Sequence, residues 1–171
     1  MSDHTKAVIL VLISGIIWSF GAVVVKSMVD PQLYRLPYLI IRGITVASII
    51  CIFLLIKDRK NFLKNFFTFD MVTIFGGLLL TCTFIGFIYS ITSTTAAVTL
   101  LMLALMPFLA SIIAYVAIKE KISKKNFTAM IIALTGVIIM VLQGKISGSL
   151  FGLLTGLVAS LGFAGFTVML R

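Results

Sequence analysis

Along this chain, six apolar runs alternate with short polar stretches: Ala7 to about Val25, Leu36 to Ile56, Met71 to Ile91, Ala96 to Ile118, Phe127 to Leu142 and Leu150 to Leu170. A helix needs roughly 20 apolar residues to cross a hydrocarbon core about 30 Å thick. Backbone polar groups cannot be left unpaired there, so each run must be helical. The pattern therefore predicts an all-α integral membrane fold, a polytopic bundle of about six transmembrane helices. The fifth run is short and carries Thr135 and Gly136 at its middle, which makes it the weakest as a full crossing.

The connections carry stop signals. Asp30-Pro31 and Leu36-Pro37 punctuate the first loop, with Pro37 in the opening turn where a helix tolerates it. Ser93-Thr94-Thr95 makes so tight a turn that the third and fourth helices should be antiparallel neighbours. From Asn61 to Phe69, four phenylalanines stand among lysines, as expected of an interfacial segment with aromatic anchors.

Composition excludes a soluble domain. Of 171 residues, 61% are hydrophobic and only 11% charged, and the mean hydropathy is +1.23, against about 25% charged in an ordinary globular protein. The net charge of +9 would invite a nucleic-acid partner, but its placement argues for lipid. With a cytoplasmic N-terminus, ten basic residues fall inside: Lys6, the four from Lys57 to Lys64, the four from Lys119 to Lys125, and Arg171. Only Lys26, Arg35 and Lys145 fall outside, and Arg42 lies within the second span. That bias predicts a multi-pass protein of the cell membrane with both ends of this chain cytoplasmic. The first run is too long for a cleaved signal peptide and lacks a small-residue cleavage pattern. Cys51 and Cys82 fall deep in apolar runs and are expected to be small buried hydrophobes.

The first and sixth runs share a pattern. A shift of 141 residues matches Gly15 with Gly156, Ser19 with Ser160 and Gly21 with Gly162, a common G-x-x-x-S-x-G. A repeat that restarts after five crossings enters the membrane upside down, which is the inverted-repeat arrangement of many secondary transporters.

These residues resemble the EamA-type branch of the drug/metabolite transporter superfamily. The likeness lies in Ile17-Ile-Trp-Ser-Phe-Gly-Ala-Val-Val-Val-Lys26, in Leu39-Ile-Ile-Arg42, and most specifically in the stretch from Thr94-Thr-Ala-Ala through Met106-Pro107-Phe108 to Lys119-Glu120-Lys121-Ile122-Ser123. The resemblance implies a ten-helix fold of two five-helix repeats, with residues 1–143 forming the first and 148–171 the opening helix of a truncated second. It also implies a secondary carrier exporting small organic metabolites, such as amino acids or nucleotide-like or drug-like solutes, by alternating access. The partners expected are the bilayer, a small-molecule substrate and the remaining C-terminal repeat.

Several residues are candidates for the cavity, and each has a plainer reading. Trp18, Ser19 and Lys26 share a broad face of the first helix, which the resemblance turns toward the cavity. Trp18 is otherwise a packing residue and Lys26 an interfacial lysine. Arg42 lies about 9 Å from the outer interface by helical rise. It either snorkels outward or attracts anions at the cavity mouth. Thr95, Thr99, Met102 and Met106 form a stripe on the fourth helix, readable as a cavity lining or as core packing with threonine back-bonds. Pro107 should bend that helix or free a carbonyl toward the interior. Tyr89 is either a gate or a member of the aromatic belt. On the sixth helix, Gly152, Gly156, Ser160 and Ala164 form a small-residue seam, which the repeat argument sets against helices of a second copy.

No span contains an Asp, Glu or His at mid-membrane. Intramembrane proteolysis and metal-dependent lipid chemistry need such groups, so neither an enzyme nor a metal or other cofactor is expected. Two other readings remain: a non-transporting assembly subunit, and a half-carrier working as a homodimer. For the chain by itself, the expectation is insertion without transport.

Overall fold

The computed structural model describes residues 3–57, 70–120, 122–142 and 149–170. The aromatic segment 61–69 and the basic residues Arg59, Lys60, Lys64, Lys121, Lys145 and Arg171 lie outside the described residues. The elements are α1 (Asp3–Lys26), α2 (Arg35–Lys57), α3 (Met71–Ser93), α4 (Ala96–Ala104), α5 (Met106–Ile118), α6 (Lys124–Leu142) and α7 (Leu150–Met169). No strand occurs among the described residues. Five stretches are long and apolar enough to span a bilayer: α1, α2, α3, the α4–α5 pair and α7.

One end of the bundle gathers α1, α2, α3, α4 and α7. There Lys26 Nζ donates to the Thr94 carbonyl at 2.6 Å, Arg35 Nε donates to Thr92 Oγ1 at 2.7 Å, and the Ser149 amide reaches the Ser93 carbonyl at 3.5 Å. The chain leaves this end through α4 and α5 and is back at it when α7 begins. Between them lies α6, whose 19 residues rise about 28 Å. It is not among the five stretches, so the short fifth run, the weakest in the sequence, falls below the measure of a full crossing that the other five meet. The same bookkeeping places the start of α1 and the end of α7 together at the opposite end.

The fourth predicted span is two helices. Proline lacks an amide hydrogen and its ring clashes with the carbonyl four residues back. The helix accordingly ends at Ala104 and restarts at Met106 with Pro107 in the first turn. The break thus falls at Leu105 rather than at the proline itself. Across it, the Leu105 amide bonds back only three residues, to Met102 O at 3.1 Å, while the Leu109 amide resumes the four-residue step to Leu105 O at 3.0 Å.

The seam on α7 corrects the expectation that it faces helices of a second copy. It is filled from within the chain, because α7 lies antiparallel against α3 and also wedges against α4 and α5. Gly152, Gly156, Ala159, Ser160, Gly162 and Ala164 are all buried. The approach is close enough to require glycine on both sides: a β-carbon at Gly86 would lie 2.6 Å from the Thr155 carbonyl oxygen, and one at Gly162 would lie 2.7 Å from Leu79 O. This wedge also qualifies the expected pairing of the third and fourth helices. They meet at the Ser93–Thr95 turn, and Gly156 then sits between Ser90 of α3 and Met102 of α4.

By contrast, α2 buries none of its residues and α1 only Ala22 and Val25. These two helices lean on α3 through a small core that contains Val25, Phe87, Ile88 and Ile91. The cysteines depart from expectation in the same way: Cys82 is exposed and Cys51 half-buried. Membrane helices turn apolar residues to lipid as readily as to protein, so an apolar run does not by itself imply burial.

Candidate functional site

Below the shared end, α1, α2 and α3 border a common cleft, to which α7 adds Phe163. The cleft holds a pocket of about 600 Å³. Its walls are Ser14, Ile17, Trp18 and Gly21 from α1, Tyr38 and Arg42 from α2, and Thr83, Phe84 and Phe87 from α3. A second pocket of about 280 Å³ lies on the other side of Trp18 and Phe87, between α1 and the broken helix. Gly15, Ser19 and Ala22 line it from one side, with Leu100, Leu103 and Met106 opposite. Trp18 and Phe87 border both spaces. The Trp18 ring packs 5.8 Å from that of Phe163.

Arg42 lies in the larger pocket with its guanidinium 4.3 Å from the centroid of Phe84. Phe84 is eight residues below Thr92 on α3, or about 12 Å by helical rise. Arg42 is seven residues below Arg35 on α2, or about 10 Å. Arg35 meets Thr92 and Arg42 meets Phe84, so α2 runs antiparallel beside α3 over this stretch, with the Arg42 head on the wall of the cleft. A cation over a ring face gains electrostatic attraction from the aromatic quadrupole, more so away from water.

The shared end is tied by polar groups. Arg35 donates to Thr92 Oγ1 and, through Nη2, to Ser93 Oγ at 2.8 Å, and it lies 5.0 Å from the Tyr89 ring centroid. Tyr89 in turn meets Phe151 of α7 edge-on at 6.0 Å. Gln32 Nε2 reaches the Thr92 carbonyl at 3.4 Å. Lys26 of α1, Gln32 of the loop and Arg35 of α2 are thus all hydrogen-bonded to Thr92–Thr94 at this end.

The candidates from sequence thus separate into three places. Trp18, Ser19, Arg42 and Met106 border the pockets. Lys26 and Tyr89 belong to the tied end. Thr95, Thr99 and Met102 belong to the seam with α7 and line neither pocket: Thr95 caps α4, accepting from the Val98 amide at 3.3 Å. Thr99 is wholly buried, its hydroxyl 3.0 Å from Ser90 Oγ and 3.1 Å from Thr94 Oγ1. Pro107 is exposed beyond the break. The sequence reading passed over Arg35, Tyr38, Phe84 and Phe163. Arg35 counted there only as an outside charge, and nothing in an aromatic run says which ring faces a cleft.

Residues 5–142 match the EamA-like transporter family. The match covers most of the chain, so this protein belongs to that family. It is a multi-pass membrane protein of the drug/metabolite transporter superfamily. No curated protein and no solved structure matches the chain.

Proposed function

We propose that the protein is a secondary carrier that exports a small organic metabolite from the cytoplasm across the cell membrane by alternating access, with the Trp18–Arg42 cleft as its substrate site. The observation that carries this reading is the asymmetry of the cleft. Lys26, Gln32 and Arg35 tie α1, α2 and their loop to Thr92–Thr94 at one end, and the cleft lies below these ties, the form of a carrier closed on one side. With the basic clusters cytoplasmic, the fastened end is the outer one and the cleft loads from inside.

The second repeat enters this proposal through α1. Its Gly15, Ser19 and Gly21 match Gly156, Ser160 and Gly162, yet a β-carbon at Gly15 would meet nothing within 4 Å. The face that α7 fills against α3 stands open on α1, as it would if the helices of a second, inverted copy covered it. Residues 1–143 then form one repeat, and 148–171 open the next.

The test is solute counterflow in liposomes, with the chain alone and with the chain co-expressed with a segment carrying four further spans. Saturable counterflow of a labelled organic solute, reduced at least tenfold by Trp18→Ala, is expected from the two-part protein and not from the chain alone. Counterflow by the chain alone would favour a homodimeric half-carrier, and none in either preparation would favour an assembly subunit.

A further inference from the structure

The hydrogen-bonding groups around the larger pocket are unequally spent. Two of its hydroxyls are occupied within their own helices, Ser14 Oγ donating to Leu10 O at 2.7 Å and Thr83 Oγ1 to Leu79 O at 2.9 Å. The Arg42 guanidinium, the Trp18 indole N–H and the Tyr38 hydroxyl make no hydrogen bond among the described residues. No residue lining the pocket is acidic. The Arg42 guanidinium, set over the Phe84 ring, has no protein acceptor among the described residues to pair its charge, and its planar fork suits a carboxylate better than any neutral acceptor. The remaining wall is ring surface from Phe84, Phe87 and Phe163, which favours a flat apolar body.

We propose that this pocket recognises a monoanionic aromatic carboxylate, with the carboxylate on Arg42 and the ring among Trp18, Phe87 and Phe163. An α-ammonium finds no counter-charge there, so a zwitterionic amino acid binds less well than the acid without its amine. The proposal deepens the carrier reading and depends on it only for the movement of the solute, not for its binding.

Trp18 is the only tryptophan in the chain, so its fluorescence reports on the pocket directly. The probes are 3-(4-nitrophenyl)propanoate, whose nitroaromatic ring quenches indole emission, and the corresponding amide, titrated into the full chain in phosphatidylcholine nanodiscs. The carboxylate should bind about tenfold more tightly than the amide, the scale of one charge-assisted pairing. Arg42→Gln should abolish that preference, bringing the carboxylate down to about the affinity of the amide, and Arg42→Lys should keep part of it. Equal affinities in the unaltered chain, or an undiminished preference in Arg42→Gln, would overturn the proposal. An anionic lipid headgroup offers Arg42 the same chemistry, so the titration is repeated in phosphatidylglycerol nanodiscs. Carboxylate affinity retained within about twofold assigns the site to a solute, and a tenfold loss assigns Arg42 to lipid and overturns the proposal. In liposomes holding the chain together with the four-span segment, a carboxylate that binds but is not moved would sink the carrier reading alone. Transport of the amide with Arg42 dispensable would sink this one alone.

Discussion

The Ser160 hydroxyl of α7 lies 2.6 Å from the Met102 carbonyl of α4, one turn before the helix breaks. In an unbroken helix that carbonyl would accept from the Met106 amide. Here it receives the shorter-range Leu105 amide at 3.1 Å and a serine from another helix. Ser160 also has its own Gly156 carbonyl at 3.0 Å, so one proton serves two acceptors, the nearer of them across the helix interface. The proline-induced break and the seam of α7 are thus one feature.

Ser160→Ala should therefore destabilise the bundle by about 1 kcal/mol, the usual cost of leaving a buried acceptor short of a donor. The apparent melting temperature in detergent is the readout. Ser111→Ala removes only a back-bond to Pro107 O within α5 and should stay within about 0.5 kcal/mol. Equal melting of the two variants would show that the interhelical bond contributes nothing.

Gly86→Ala should be far more damaging. Its β-carbon would meet backbone atoms of α7, the Thr155 carbonyl oxygen at 2.6 Å and the Ala159 amide nitrogen at 2.8 Å, and backbone cannot move aside without parting the helices. Overpacking of this kind costs about 1–3 kcal/mol. Gly77→Ala on the same helix meets nothing within 4 Å and should gain a few tenths through helix propensity, toward a limit of about 1 kcal/mol. Protease resistance and monodispersity in detergent distinguish them, and a well-behaved Gly86→Ala would contradict the antiparallel α3–α7 contact.

Burial of Thr99 sets the outcome of cysteine labelling. With Cys51 and Cys82 first replaced by alanine, a cysteine at Ser14, on the wall of the larger pocket, should react with a small water-soluble thiol reagent. One at Thr99, fully enclosed by α3 and α7, should react at least tenfold more slowly. The neighbouring Leu101 is 6% exposed and should also be protected. Fast labelling at Thr99 would mean that the seam opens to water.

The start of α1 and the end of α7 lie at one end of the bundle, and the bias of Lys and Arg predicts that this end is cytoplasmic. Reporter fusions before residue 1 and after residue 171 should both report the cytoplasmic side. A split result would mean that α6 does not cross, and two external reporters would reverse the direction in which the cleft loads.

The sequence by itself determined that this is a helical membrane protein, and it carried the family likeness that the 5–142 match then showed. Both follow from constraints that act along one dimension. Hydrocarbon demands an internally hydrogen-bonded segment of set length, and Pro107 interrupts a helix wherever the rest of the chain goes. Only the tertiary structure decided which faces meet. Gly15-x-x-x-Ser19 and Gly156-x-x-x-Ser160 are written alike, yet one stands open and the other is buried against α3 and α4. Arg42 reads equally well as snorkelling or facing a cleft until Phe84 is seen beneath it. The reason is that lipid is as apolar as a leucine-lined interface, so hydrophobicity, which separates inside from outside in a soluble protein, leaves the rotation of each membrane helix undetermined. Close approach of small residues and the pairing of a few buried polar groups fix that rotation, and both depend on neighbours distant in sequence.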